Sequence, residues 1–61
     1  MPFYRFCVLD QKSAIGDVDL QRHVDDEAAK KAAERLCRER HRAVEVRHEG
    51  RLVARIEPIR P

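Results

Sequence analysis

The sequence predicts a small α+β domain in the order strand, helix, strand, strand, with one helix packed on a mainly antiparallel three-stranded sheet. Three observations carry that expectation. An aromatic and β-branched run occupies Phe3–Leu9, an alanine-rich stretch with helical periodicity follows Asp25, and two short alternating segments flank Gly50. All 61 residues are assigned to one domain. A chain this short buries only about 60% of the surface that its unfolded form exposes, so its core is expected to be thin.

The first strand is read over residues 3–9. Period two places Tyr4, Phe6 and Val8 on one face and Phe3, Arg5, Cys7 and Leu9 on the other, and the face without the arginine is the better core candidate. Pro2 suits the start, where no ladder donor is required. Residues 10–24 contain the turn formers Asp10, Ser13, Gly16 and Asp17. A structureless connection of that length is unusual in a compact domain. Val18, Leu20 and Ile15 are therefore expected to fold back, as a lid or as a short extra strand beside the first, with Asp17 and Asp19 facing solvent.

The helix is read over residues 26–40. Asp25 is a natural N-cap, and Asp26 and Glu27 put negative charge where the free amides and the helix dipole favour it. Ala28, Ala29, Ala32, Ala33, Leu36 and Cys37 form one apolar stripe, with Lys30, Lys31, Glu34, Arg35, Arg38 and Glu39 on the other side. Four alanines on the stripe bring the helix backbone close to the sheet, with Leu36 expected as the principal anchor.

Two strands follow, over residues 43–47 and 51–57. A two-residue turn at Glu49-Gly50 with an unbroken ladder sets Val44 opposite Arg55, which mixes core and surface. A three-residue connection, His48-Glu49-Gly50, sets Val46 opposite Leu52 and Val44 opposite Ala54, and is the expected register. Val44, Val46, Leu52, Ala54 and Ile56 then face the helix, while Arg47, Arg51 and Arg55 share the opposite face with Glu45 and Val53. Pro58 ends the last strand, and Arg60-Pro61 is read as a frayed tail.

Net charge is only +2, but it is unevenly placed: residues 1–29 carry three Lys/Arg against six Asp/Glu, and residues 30–61 carry ten against five. Neither a secretory signal nor a membrane segment is read at the N-terminus, where a charged residue stands already at Arg5. A cytoplasmic location is expected, without membrane attachment and with both cysteines, Cys7 and Cys37, reduced.

The pattern resembles a family of short uncharacterised alphaproteobacterial proteins, a domain of unknown function. The resemblance is carried by the Met-Pro-x-aromatic-x-Phe opening at residues 1–6, the acidic Gly-containing loop at 16–19, the Asp-x-Glu-Ala-Ala helix start at 25–29, and the acidic-Gly turn with Arg-hydrophobic-hydrophobic-Ala at 49–54. The chain departs from the family in its thinner acidic loop and in using His48-Glu49 at the hairpin. The resemblance implies a β-α-β-β layout and no particular chemistry.

No pattern here points to catalysis, a cofactor or a metal. Cys37 and His41 are four apart on the helix, but zinc needs two further ligands, and a small cysteine on an apolar stripe needs no function. As a nucleophile–base pair they lack an orienting third residue. Asp17, Asp19, Asp25 and Asp26 lack the alternating ligands of a calcium loop, and isolated Gly16 and Gly50 make no phosphate cradle.

Two functions are expected instead. The preferred one is a non-enzymatic structural or protein-interaction module that self-associates as a homodimer or takes a protein partner. Its interface would be an apolar strip of Phe3, Cys7, Leu9 and Val53 on the sheet face away from the helix. The alternative is a small nucleic-acid-binding or regulatory module that uses Arg5, Arg47, Arg51 and Arg55 as a basic face toward phosphates.

Overall fold

The structure, a computed structural model, describes residues 2–10, 12 and 14–58. The elements are β1 (Phe3–Leu9), β2 (Ile15–Arg22), α1 (Asp26–Arg40), β3 (Val44–His48) and β4 (Arg51–Ile56). The strands form one sheet in the order β2-β1-β3-β4, each neighbouring pair antiparallel. The α+β layout of one helix on an antiparallel sheet is as expected, but the sheet has four strands, not three. Ser13 and the tail at Arg60-Pro61 lie outside the described residues.

The fourth strand comes from the segment read as a connection. Asp10 accepts hydrogen bonds at Oδ1 from the amides of Lys12 (2.8 Å) and Ala14 (2.9 Å), and its own amide donates to the Ala14 carbonyl (2.8 Å). This local closure turns the chain within a few residues. The following Ile-Gly-Asp-Val-Asp-Leu-Gln-Arg run then pairs along β1 from Phe3↔Arg22 to Leu9↔Ile15, with a register shift beside Val8 and Leu9. Asp17 and Asp19 lie opposite Val8 and Phe6, on the helix side of the sheet, and both are exposed.

Asp25 caps α1, extended at φ −158°, with Oδ1 accepting from the Ala28 amide at 2.9 Å. At the other end His41 adopts a left-handed φ of 55° and its amide donates to the Cys37 carbonyl. Ala29, Ala33 and Cys37 are buried against Tyr4, Phe6 and Val8 of β1 and Val44 and Val46 of β3. Leu36 is only partly buried, at the margin with Ala32, so it is not the principal anchor. The alanines bring the backbone so close that the contact is made by Ala29 and Ala33 themselves.

The expected hairpin register is overturned. Glu49 (φ 51°) and Gly50 (φ 78°) are both left-handed, and His48 pairs directly with Arg51, so the turn has two residues. The register then shifts between Arg47↔Leu52 and Val46↔Ala54, which leaves Val53 as an extra residue in β4. That bulge resolves the clash which argued against the short turn: beyond it Val44 meets Ile56, not Arg55. One inserted residue reverses the phase of the strand on its two sides. Arg51 therefore moves to the helix side, Leu52 to the opposite face, and Val53 packs against the core.

Candidate interaction surface

Residues paired across an antiparallel sheet share a face, so the register defines the side that α1 leaves open. On β1 it holds Phe3, Arg5, Cys7 and Leu9, and on β2 Ile15, Val18, Leu20 and Arg22. On β3 it holds Glu45 and Arg47, and on β4 Leu52 and Arg55. Five large apolar side chains stand exposed there: Phe3 (53%), Ile15 (61%), Val18 (50%), Leu20 (60%) and Leu52 (46%). A shallow groove of about 490 Å³ runs between Arg5, Cys7, Ile15, Val18, Leu20 and Arg47.

Arginines edge this strip. The Arg22 guanidinium lies 4.6 Å from the centroid of the Phe3 ring, stacked on its cross-strand partner. Glu45 accepts from Arg55 Nη1 at 2.8 Å and lies 3.5 Å from Arg47 Nη2, while Arg55 Nε donates to Glu57 at 2.7 Å. Those bonds, Glu57 first and then Glu45, raise the Arg55 pKa and keep it charged. Arg5 sits opposite Arg47 and has no carboxylate partner among the described residues.

The residues expected to form the interface are only partly brought together. Phe3 is exposed on the open face, whereas Cys7 and Leu9 share that face but are buried among their cross-strand neighbours. Val53 belongs to the core side because of the bulge. Ile15, Val18, Leu20 and Leu52, the main apolar components, were not in the expected set. For β2 the signal was present as alternation of Val18 and Leu20 with Asp17, Asp19 and Gln21; Ile15 joins their face only through the register shift that leaves Gly16 unpaired. For Leu52 it was hidden by the bulge. Of the expected basic face, Arg5, Arg47 and Arg55 are gathered on the open side, with Arg22 added and Arg51 removed to the helix side.

Arg51 instead joins a polar cluster that ties the start of α1 to the sheet. Tyr4 Oη donates to Asp26 Oδ1 at 2.7 Å, and Arg51 Nη2 donates to Asp26 Oδ2 at 3.3 Å. The Tyr4 hydroxyl, then Arg51, hold the Asp26 carboxyl below its ordinary range, and the same bond to Asp26 raises the Tyr4 pKa. The His48 ring packs 4.9 Å from that of Tyr4, with Nδ1 2.9 Å from the Phe3 carbonyl. Tyr4, Asp26, Arg51 and His48 each make at least one of these bonds, as in a structural clasp.

Cys37 is buried in the helix–sheet core, where desolvation and then the charge of Glu57 push its thiol upward, away from the thiolate form. His41 is exposed at the helix end. Among the described residues, no three His, Cys, Asp or Glu side chains gather as a metal site, and no helix is long and apolar enough to cross a membrane.

The fold and this surface define a small α+β domain with one sheet face covered by a helix and the other left open, apolar and arginine-edged. No protein-family model, curated protein or solved structure matches the chain.

Proposed function

We propose that the protein is a non-enzymatic protein-interaction module that self-associates, with exposed apolar residues of the open sheet side taking part in the contact. The observation that supports this is the exposure of Val18 and Leu20 on β2, on a face that also carries Phe3, Ile15 and, at its far margin, Leu52, in a domain too small to cover that face itself. An apolar strip with arginines at its margin has the composition of an interface centre with a polar rim. Membership of the short alphaproteobacterial family that its motifs resemble is part of the same proposal. Sedimentation equilibrium tests it, since a 7.2 kDa chain and its dimer differ twofold in mass. Association that Leu20→Asp abolishes without loss of the circular dichroism spectrum is the expected result. A strictly monomeric mass up to about 0.5 mM, a concentration at which even weak contacts are populated, overturns it.

A second reading rests on Arg5, Arg22, Arg47 and Arg55 sharing that face with an exposed Phe3, a combination suited to phosphates and a stacked base. Fluorescence anisotropy with single- and double-stranded oligonucleotides distinguishes it. Salt-sensitive binding lost in Arg5→Ala/Arg47→Ala favours nucleic acid; no binding at micromolar protein removes this reading.

A further inference from the structure

The two edges of the sheet are unlike. At β4 the bulge at Val53 breaks the regular outer row, and Pro58 follows two residues after the strand. At β2 the eight-residue strand is regular from Asp17 to Arg22 and carries no proline or lysine. The His23 amide donates to the Pro2 carbonyl, and the register places Gln21, Asp19 and Asp17 in phase with that pair, so their backbone groups point to β1. The backbone groups of Val18, Leu20 and Arg22 consequently point outward along the free edge. Among the described residues, the Val18 amide alone of these is turned onto a side chain, Asp17 Oδ1 at 3.1 Å.

We infer that a second copy of this chain pairs with β2 edge to edge, antiparallel about a twofold axis centred on Leu20, to form one continuous eight-stranded sheet. This rests on the self-association proposed above and specifies its geometry. An antiparallel ladder sets outward-pointing residues opposite outward-pointing residues, which restricts the axis to whole residues and places both helices on the same side. A centre at Asp17, Val18 or Asp19 sets carboxylates opposite one another: Asp17 to Asp17, Asp17 to Asp19, or Asp19 to Asp19. Like charges directly opposite are destabilising. A centre at Gln21 avoids this but overlaps only the last residues of the strand.

The Leu20 centre avoids like charges while overlapping Val18 through Arg22. Asp19 then faces Gln21 of the second copy, and Asp17 faces its His23. On the open side Leu20 meets Leu20, and Val18 lies beside the aliphatic stem of Arg22. The two apolar strips become one across the junction. Stacking the copies face to face instead brings together two surfaces that each carry Arg5, Arg22, Arg47 and Arg55 against Glu45. Edge pairing keeps those arginines apart.

Cysteine pairing in the purified full chain tests the register. Asp19 and Gln21 of the second copy form a non-hydrogen-bonded pair, with Cα atoms about 4.5 Å apart, within disulfide range. The native thiols Cys7 and Cys37 are both buried, so introduced cysteines on the strand surface react first. Mild oxidation of mixed Asp19→Cys and Gln21→Cys chains is expected to give a covalent heterodimer, and either variant alone is not. Leu52→Asp, on the far side of the open face, is expected to leave the dimer mass unchanged. A wild-type dimer that gives no mixed disulfide, or that Leu52→Asp dissociates, overturns edge pairing while self-association stands. A wild-type monomer overturns both.

Discussion

The two faces of this sheet are built from alternate residues of the same strands, yet they are finished differently. On the helix side, Phe6, Val44 and Val46 are wholly buried beneath Ala29 and Ala33. On the open side, residues of the same chemical kind, Leu20 and Leu52 among them, stay in contact with water. The covered face has the smallest possible helix contacts above it, so large strand side chains fill the space. The open face has Cys7 and Leu9 shielded by neighbours within the sheet and a margin of arginines, and among the described residues no second layer. Apolar side chains on the first face hold the fold together, whereas those on the second contribute little to it and are available for association.

Substitutions can break that contrast, starting with the covered face. Val46→Asp places a carboxylate in the dry core and is expected to cost at least about 3 kcal/mol, a large part of the stability of a domain this size. Loss of the cooperative urea transition and of the helical circular dichroism signal is the outcome that checks it. Val53→Asp is expected to lower stability by about 1–2 kcal/mol, because the bulge turns this partly buried residue toward the core. Unchanged stability with weakened association would instead place Val53 on the open face and refute the two-residue turn.

The turn itself offers a gain. Glu49 holds a left-handed conformation that asparagine adopts more readily, so Glu49→Asn is expected to raise stability by about 0.5–1 kcal/mol in urea unfolding.

Asp26 gives a test by pH. Its folded carboxyl is held below the ordinary value of 3.8 by Tyr4 and Arg51. A depressed carboxylate contributes stability that is complete above the unfolded value and lost as pH falls through the folded one. Asp26→Asn should therefore be less stable than wild type at neutral pH, and the two urea midpoints should converge under acid conditions. Midpoints that stay parallel would show that the clasp does not depend on this charge. The smallest effect is expected on the open face, where Leu52→Asp should change stability by no more than about 0.5 kcal/mol.

Much of the fold was legible because its signals are local. Asp25 as cap, the acidic first turn and the alanine stripe all act within a few residues of one another, and the structure keeps each of them. The aromatic run likewise identified β1 and its core face. The alternation of Val18 and Leu20 with Asp17, Asp19 and Gln21 also pointed to a strand. What it could not convey was that Asp10 closes the preceding turn so tightly that the whole segment pairs with β1.

The candidate surface was less legible, and the hairpin shows why. Composition around Gly50 marked a reversal, but a two-residue turn followed by a bulge and a three-residue turn without one use the same residues. They differ in which side Arg51, Leu52 and Val53 face. By itself the sequence determined the helix, the strand-forming segments and the excess of apolar residues over what one helix can cover. Only the tertiary structure decided their assignment to faces, because strand phase depends on a single inserted residue whose position is chosen by packing of Val44, Val46, Ala54 and Ile56 beneath the helix.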